Sequence, residues 1–264
     1  MSYDLKQDLV LFKNYVGLIP EIVPGKSYLS IITYNQSTSP NWLVNSLIEN
    51  ALIGTASLIN QELKHVHHKS NVVLISFLHN ENFYIKNCRK NGLDLTQISS
   101  FTFVDYFTHL FQQKIKDPNN ASEDVKGLFD IKVEPNSVII IDAPETLLYS
   151  TNISSNDLLS CLLKLNKKCY QMYITSCKNS PQLVDYAVNE IINPTYKITD
   201  FITKLLFRSH LNITLEPLAT GRAKDITGSL VVSRGVLPYD SLVVNEREYA
   251  YNITKDSNVK IFFR

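Results

Sequence analysis

Short apolar runs alternate with amphipathic stretches along residues 28–192 of the chain. Strands that are buried on both faces of a parallel sheet read as continuous apolar runs, whereas the helices that cover them are apolar on one side only. The runs predict five strands, at residues 28–34, 71–78, 99–104, 138–141 and 168–175. The stretches between them predict helices at residues 42–50, 81–90, 106–115 and 156–165, and a polar loop at residues 117–124. The pattern therefore predicts an α/β fold with a mainly parallel sheet covered by helices on both faces.

The pattern changes after residue 210, where short strand-like runs follow one another with only turns between them. These runs lie at residues 210–217, 228–233, 249–254 and 258–263. Strands that are joined by short turns pair antiparallel, because a parallel pair needs a long crossover connection. We therefore expect one domain over residues 1–264, with an N-terminal arm (1–27), an α/β core (28–209) and an antiparallel β extension at the C-terminus (210–264).

The connection between the first strand and the first helix, residues 35–41 (NQSTSPN), contains no glycine and no lysine. In phosphate-binding α/β ATPases this connection is a glycine-rich loop that ends in Gly-Lys-Ser/Thr, and its backbone N–H groups hold the phosphates. A Gly-Lys-Ser tripeptide occurs at residues 25–27, but it precedes the strand, so we interpret it as a turn that leads into the strand. The sequence thus indicates an ATPase-like scaffold that has lost its phosphate cradle.

Asp142 ends the apolar run of the fourth strand and is the candidate metal position. In an ATPase, a carboxylate at this strand end holds Mg²⁺ beside the phosphates. Without a phosphate-binding loop the metal loses its ligand, so the favoured interpretation is a degenerate metal position at the carboxyl end of a parallel strand. Glu145 is interpreted as a helix cap or as a group that polarises water, and the base role is the less favoured of the two.

Composition and charge narrow the classes of function without selecting one. Of the 264 residues, 44% are hydrophobic and 19% are charged, which permits a sizeable core and argues against global disorder. The formal net charge of +1 provides no overall bias toward nucleic acid. The N-terminus has no secretory leader pattern, and no apolar run is long enough to cross a bilayer. The four cysteines are expected to be buried, reduced thiols, and His65, His67 and His68 are interpreted as solvated residues of a polar connector at residues 55–70.

Residues 220–235 (TGRAKDITGSLVVSRG) hold three of the chain's eight glycines and form the densest signal in the sequence. Glycine permits tight turns and close approach of two backbone segments. Arg222 and Lys224 alternate with an alanine, so both side chains project from one face in extended geometry. Two such cations can reach a phosphate bound by a neighbouring chain or an RNA backbone, and a structural hairpin with solvated charges is the alternative.

This segment resembles the C-terminal signature of the family of the sixth Elongator subunit, most closely its fungal form. The family pattern is Thr-Gly-x-Ala-x-Asp-Val/Ile-Thr-Gly-x-Leu followed by an Arg-Gly step, which Arg234 and Gly235 match here. The resemblance spans the whole chain, with further matches at residues 7–12, 32–33, 40, 42, 45, 76–77, 79 and 260–264. Val236 is a departure, because a second glycine is expected at that position.

The resemblance implies a RecA-like fold and membership of a ring of six, built from two copies each of this chain and of Elongator complex proteins 4 and 5. It also implies that the ring joins the remaining Elongator subunits, which modify the wobble uridine of certain tRNAs, and that it binds tRNA and hydrolyses ATP. The chemistry of the modification belongs to a different subunit. A cytoplasmic and nuclear location follows from the same resemblance.

These observations lead to the hypothesis of a non-catalytic ring subunit that binds no cofactor alone, with ATP at subunit interfaces. Arg222 and Lys224 are the candidate residues acting in trans on that nucleotide. Loops after the fourth and fifth strands, at residues 143–155 and 177–195, are expected to face the central channel, so Lys178 and Lys197 are the candidate tRNA contacts. Two alternatives stay open: a free-standing nucleotide-hydrolysing enzyme with an unorthodox loop, and a nucleotide-free scaffold.

Overall fold

The computed structural model describes residues 26–59, 63–178, 194–221, 223, 225–238, 246–254 and 258–263. The strands are β1 Tyr28–Tyr34, β2 Val72–Ser76, β3 Phe101–Asp105, β4 Val138–Asp142, β5 Gln171–Cys177, β6 Leu211–Glu216, β7 Gly228–Arg234, β8 Arg247–Ile253 and β9 Val259–Phe263. In the described part of the chain they form one sheet in the order β3-β2-β4-β5-β1-β6-β7-β8-β9. The predicted strands are therefore confirmed in number and in approximate position.

The sheet divides into a parallel and an antiparallel part that share β6. The pairs β3-β2, β2-β4, β4-β5, β5-β1 and β1-β6 are parallel. The pairs β6-β7, β7-β8 and β8-β9 are antiparallel. The mainly parallel sheet with an antiparallel extension is thus confirmed, with the difference that the first strand after residue 210 still runs parallel to its core neighbour.

Helices cover both faces of the sheet. They are α1 Asn41–Ile53, α2 Glu81–Lys90, α3 Ser122–Leu128, α4 Thr146–Ser150, α5 Ser155–Asn166 and α6 Pro194–Leu206. The buried side chains of α1 and α2 pack in one apolar cluster with the inner residues of β6 to β9. Those of α3 to α6 pack in a second cluster on the opposite face of the parallel strands. Strands β1, β2, β4 and β5 contribute alternate residues to both clusters, which explains their continuous apolar sequences.

Helix α2 begins and ends where its sequence predicts. The Asn80 side chain accepts a hydrogen bond from the backbone N–H of Phe83, which satisfies one of the free donors at the helix N-terminus. Glu81 lies in the first turn and Lys90 in the last, and both charges complement the helix dipole. Gly92 follows with φ +85°, a conformation that glycine adopts without strain.

Two predictions between β3 and β4 are wrong. Residues 106–115 do not form the predicted amphipathic helix, because Tyr106 continues the strand by donating its backbone N–H to Ser76, and only a short π-turn follows at Leu110–Lys114. Phe107 and Phe111 are consequently exposed, although Leu110 is buried. Residues 117–124 are not simply a polar loop: they contain a 3₁₀ turn, Pro118–Asn120, and the acidic first turn of α3, whose acids the dipole favours. Helices α4 and α6 were not predicted.

Candidate functional site

The connection at residues 35–41 folds into a turn in which several hydrogen-bond donors are paired with acceptors of the turn itself or of β6. The backbone N–H of Thr38 donates to the carbonyl of Asn35 at 2.8 Å, and the N–H of Ser37 donates to the Asn35 side chain at 3.2 Å. The N–H of Asn35 and the hydroxyl of Thr38 both donate to the carbonyl of Leu215 in β6. An anion cradle needs several N–H groups that point at the ligand. The N–H groups of Asn35, Ser37 and Thr38 are already paired, so they are not available to a nucleotide phosphate.

Asp142 is buried, and hydrogen bonds occupy both oxygens of its carboxylate. The hydroxyl of Tyr84, on α2, donates a short hydrogen bond to Oδ2, and the hydroxyl of Thr175, on β5, donates to Oδ1 at 2.5 Å. The Ser76 hydroxyl lies 3.0 Å from the Tyr84 hydroxyl and extends the network to β2. Burial and then the charge of Asp142 raise the pKa of Tyr84. Both oxygens accept a hydrogen bond from a buried hydroxyl, so this arrangement fits a junction between strand ends better than a Mg²⁺ site, where a metal ion would compete with these donors.

The residue after Asp142 marks a strained turn. Ala143 has φ +57°, which is uncommon for a residue with a side chain. Its backbone N–H donates to the carbonyl and the hydroxyl of Thr175, at 3.2 and 3.3 Å. The same threonine therefore fixes both the carboxylate of Asp142 and the direction in which the chain leaves β4.

Glu145 is only 3% exposed and lies where the chain enters α4. Its Oε1 accepts a hydrogen bond from the backbone N–H of Cys177 at 2.8 Å, while Oε2 has no partner among the described residues. Burial, followed by the nearby charge of Asp142, raises the pKa of Glu145 to about 7, against the opposing effect of the Cys177 N–H. Glu145 thus joins the loop after β4 to the end of β5, and the predicted cap for its own helix is not formed by the side chain.

Lys178 and Lys197, the predicted tRNA contacts, stand on either side of residues 179–193, which lie outside the described part of the chain. The Lys178 ammonium pairs with Glu216 at 2.9 Å, and its backbone N–H donates to the carbonyl of Tyr34. Lys197 is half-buried in α6. Lys178 therefore lies at the carboxyl edge of β5, next to β1 and β6, and contact of either lysine with tRNA stays a prediction.

Arg222 and Lys224 lie outside the described residues, so the role predicted for them has no structural description here. The structure explains why glycine occupies two positions of the same segment. A Cβ at Gly228 would lie 2.6 Å from the carbonyl oxygen of Glu216, and one at Gly235 would lie 2.0 Å from that of Ser209. Close approach of β7 and the chain after it to neighbouring backbone thus requires glycine at both places.

Thr227, another residue of the signature segment, also has a structural role. Its backbone N–H donates to the carbonyl of Tyr251 at 2.8 Å, and its hydroxyl accepts from the N–H of Ile253 at 2.9 Å. The threonine therefore ties the start of β7 to the end of β8. At least this part of the signature maintains the antiparallel extension.

The remaining candidate groups contribute no further site in the described part of the chain. His65, His67 and His68 are exposed, in agreement with the solvated interpretation. Within the described residues no group of three or more histidine, cysteine, aspartate or glutamate side chains could hold a metal ion. Cys88, Cys161 and Cys169 are buried free thiols and Cys177 is half-buried. Among the helices that the structure describes, none has the length and apolar character that crossing a membrane requires.

Sequence reasoning missed Tyr84 and Thr175, the two donors to Asp142. Tyr84 is a buried aromatic residue within an amphipathic helix, and Thr175 is one of several polar residues at the end of β5. Neither residue belongs to a local sequence motif, and Tyr84 lies 58 residues from Asp142 in the chain. The available signal was the buried carboxylate itself, since a charged group in a core requires hydrogen-bond partners.

The fold defines an α/β protein of RecA-like architecture, and in its described residues the connection after β1 is not a glycine-rich phosphate loop. Consistent with the fold, the crystal structure of flagellar accessory protein FlaH from Methanocaldococcus jannaschii superposes with a TM-score of 0.55 over 98% of this chain and 97% of that one, at 15% sequence identity. No family model matches the chain. Elongator complex protein 6 of Saccharomyces cerevisiae (strain ATCC 204508 / S288c) is 30% identical over 280 aligned positions, which cover 98% of both chains. The chain belongs to the Elongator complex protein 6 family.

Proposed function

We propose that the chain is a non-catalytic subunit of an Elongator ring of six, in which it assembles with Elongator complex proteins 4 and 5. In this role it supports modification of the tRNA wobble uridine by building the ring and by contributing to tRNA binding, and the ring joins the remaining Elongator subunits. Similarity to Elongator complex protein 6 along almost the whole length of both chains supports the proposal. The cytoplasm and the nucleus are the proposed locations, which microscopy of a tagged chain would test.

The observation that carries the non-catalytic assignment is the pairing at the carboxyl edge of the sheet. The Thr38 and Ser37 N–H groups are used within residues 35–41, and both oxygens of Asp142 accept hydrogen bonds from buried hydroxyls. Hydrolysis in the chain's own site would need these groups for phosphate and metal. We infer that any ATP belongs to a subunit interface, and that the chain alone binds no cofactor.

ATP turnover by the purified full chain, alone and after addition of proteins 4 and 5, tests this proposal. We expect no turnover by the chain alone, a particle with the mass of six subunits after mixing, and a higher melting temperature for the assembled chain. Turnover by the chain alone that Asp142→Ala abolishes would instead establish the free-standing enzyme. A ring that assembles but neither binds nor hydrolyses ATP would establish the nucleotide-free scaffold.

A further inference from the structure

A groove of about 280 Å³ lies between α1, α2 and the end of β8, and Ser39, from the connection that follows β1, contributes to its lining. Phe83, Leu58 and Ile253 contribute apolar side chains to it. Four carboxamides line it in two pairs: Asn41 and Asn45 lie on α1, Asn87 lies on α2, and Asn91 is the C-cap residue of α2. Each carboxamide offers both a donor and an acceptor.

The carboxamides of the groove lack hydrogen-bond partners within the described chain. The side chains of Asn41, Asn87 and Asn91 form no hydrogen bond there, and Asn45 only accepts from the Cys88 thiol at 3.7 Å. Asn45 is 6% exposed, and its NH₂ group donates no hydrogen bond among the described residues. The indole N–H of Trp42, which also lines the groove, is buried and unpaired as well. Asn41, Asn87 and Asn91 are only half-buried, so a ligand in the groove can reach their carboxamides and supply hydrogen-bond partners.

The spacing of the carboxamides matches an extended polypeptide. The two asparagines of each pair are four residues apart, on α1 and at the C-terminal end of α2, which corresponds to a rise of about 6 Å along a helix axis. In an extended chain, peptide groups that face the same side recur every two residues, or about 6.6 Å. Two carboxamides on each wall can therefore pair with successive N–H and C=O groups of a strand lying along the groove. A single nucleobase edge would engage one such carboxamide and leave the repeat unused.

Charge in the groove favours an acidic ligand. Lys90 lines it, and the exposed Lys86 lies one turn earlier on the same helix. The neighbouring Arg89 is already paired with Asp94 at 3.1 Å, whereas Lys90 has no ion pair among the described residues. No aspartate or glutamate is among the described residues that line the groove. A carboxylate next to the apolar side chain of a ligand would therefore meet a cation that has no ion-pair partner among the described residues.

We propose that the groove between α1 and α2 binds an extended peptide segment of a protein partner, which places an apolar side chain against Phe83 and an acidic side chain beside Lys90. The segment lies along the four asparagines, which recognise its main chain. The site includes neither Asp142 nor the two lysines assigned to tRNA, and neither ring assembly nor tRNA contact in the proposed function depends on it.

Fluorescence anisotropy of the full chain with labelled octapeptides tests the proposal. The probe is an acetylated and amidated pool with Leu, Ile or Val at two alternate central positions and Asp or Glu elsewhere, and the comparison pool has Lys or Arg instead. We expect the acidic pool to bind and the basic pool to bind at least about tenfold more weakly, because the groove is cationic. Peptides that are N-methylated at alternate residues should lose binding, since they lack the main-chain donors.

Variants of the groove locate the binding. Asn87→Ala combined with Asn91→Ala should weaken binding of the acidic pool about tenfold, because two main-chain hydrogen bonds are lost. Asn82→Ala is the matched control, since Asn82 is an exposed asparagine on α2 outside the groove, and it should leave affinity unchanged. Lys90→Glu should reverse the preference between the two pools. Circular dichroism melting of each variant verifies that the fold is intact.

Three outcomes would overturn the proposal. The first is no saturable binding of either pool at millimolar peptide, and the second is equal weakening by the groove variant and by Asn82→Ala. The third is binding of a single-stranded hexauridylate that the groove variant abolishes, with no peptide binding, which would make the groove an RNA site. Ring assembly with proteins 4 and 5, measured on the same variants, should be unchanged, so a failure here is distinguishable from a failure of the proposed function.

Discussion

At the residue scale, Asp142 has a donor for both of its carboxylate oxygens, whereas Glu145, in the next turn of chain, has a donor for only one. This difference assigns the two carboxyl groups different roles. Asp142 is a junction between strands, and Glu145 is a buried acid whose ionised form is poorly stabilised. Among the described residues, Tyr34, Cys177 and Tyr149 also interact electrostatically with Glu145, and none of these three is a cation that would favour its ionised form.

Replacement of Glu145 should change how stability depends on pH. Its pKa rises from an ordinary 4.5 to about 7 in the folded chain, so the native state holds the proton more tightly than the unfolded state. The stability that this group contributes is fully present below pH 4.5 and is lost as pH rises through 7. Glu145→Gln should therefore match the parent at pH 4.5 and exceed it at pH 8, by an amount on the order of 3 kcal/mol.

Urea unfolding of both proteins at the two pH values measures the effect of Glu145→Gln. Glu134→Gln, at an exposed position, is the control and should leave the pH dependence as in the parent. A parent and a Glu145→Gln variant that lose stability in parallel between pH 4.5 and pH 8 would show that Glu145 ionises normally.

Removal of the Tyr84 hydroxyl should destabilise the fold. Tyr84→Phe leaves Oδ2 of Asp142 buried without its donor, and an unsatisfied buried group costs about 1–3 kcal/mol. Tyr149→Phe is the control, because Tyr149 is 54% exposed, and it should change the free energy of unfolding by less than about 0.5 kcal/mol. Equal values for the two variants in chemical denaturation would contradict a structural role for the hydroxyl.

At the scale of elements, the local sequence pattern predicted correctly those elements whose structure depends on their own residues. It failed where contacts with a neighbouring element determine the structure. The boundaries of α2 were predicted because its cap and terminal charges are local. Residues 106–115 were predicted wrongly because pairing of Tyr106 with β2 holds the chain extended past β3. The direction of β6 was also beyond local pattern, since β6 follows α6 and pairs parallel to β1 before it begins the antiparallel part.

Two glycine-to-alanine substitutions distinguish the steric effect of an added Cβ from its effect on backbone conformational entropy. Gly228→Ala should destabilise by about 1–3 kcal/mol, because the added Cβ would lie 2.6 Å from the Glu216 carbonyl and force β6 and β7 apart. Gly127→Ala is the matched control in α3, where no atom lies within 4 Å of the added Cβ, and it should stabilise by about 0.5–1 kcal/mol. Thermal unfolding measures both, and a loss of stability in both variants would refute the contact argument.

At the scale of the whole molecule, Lys178 lies at the carboxyl edge of the sheet, beside β1 and β6. The loops that the sequence predicts to face the central channel leave the sheet at this edge. If this edge meets tRNA, Lys178→Glu combined with Lys197→Glu should weaken tRNA binding by the assembled ring. Each lost phosphate contact should also make the salt dependence shallower by about one unit. Lys132→Glu with Lys167→Glu makes the same change of charge at exposed positions outside the two loops and should have little effect. Unchanged affinity and salt slope in the first pair would place the tRNA contact elsewhere.

The trans hypothesis also belongs to this scale, because it needs a neighbouring subunit. Arg222→Ala combined with Lys224→Ala in the assembled ring should slow ATP hydrolysis by about a thousandfold or more if these cations stabilise a phosphoryl group held next door. Assembly and tRNA binding should remain intact. Weakened tRNA binding with normal ATP turnover would indicate that the two residues contact RNA. Unchanged tRNA binding and unchanged ATP turnover would indicate that the segment is a structural hairpin.

The sequence by itself determined the layered α/β architecture and the lack of a glycine-rich loop motif between the first strand and the first helix. Both follow from local properties: strand and helix have different side-chain periods, and residues 35–41 contain no glycine or lysine. Tertiary structure alone decided which donors hold Asp142, why Gly228 must lack a side chain, and how asparagines from two helices come to line one groove. These contacts join residues far apart in the chain, and their geometry depends on strand register and helix packing, which no local pattern specifies.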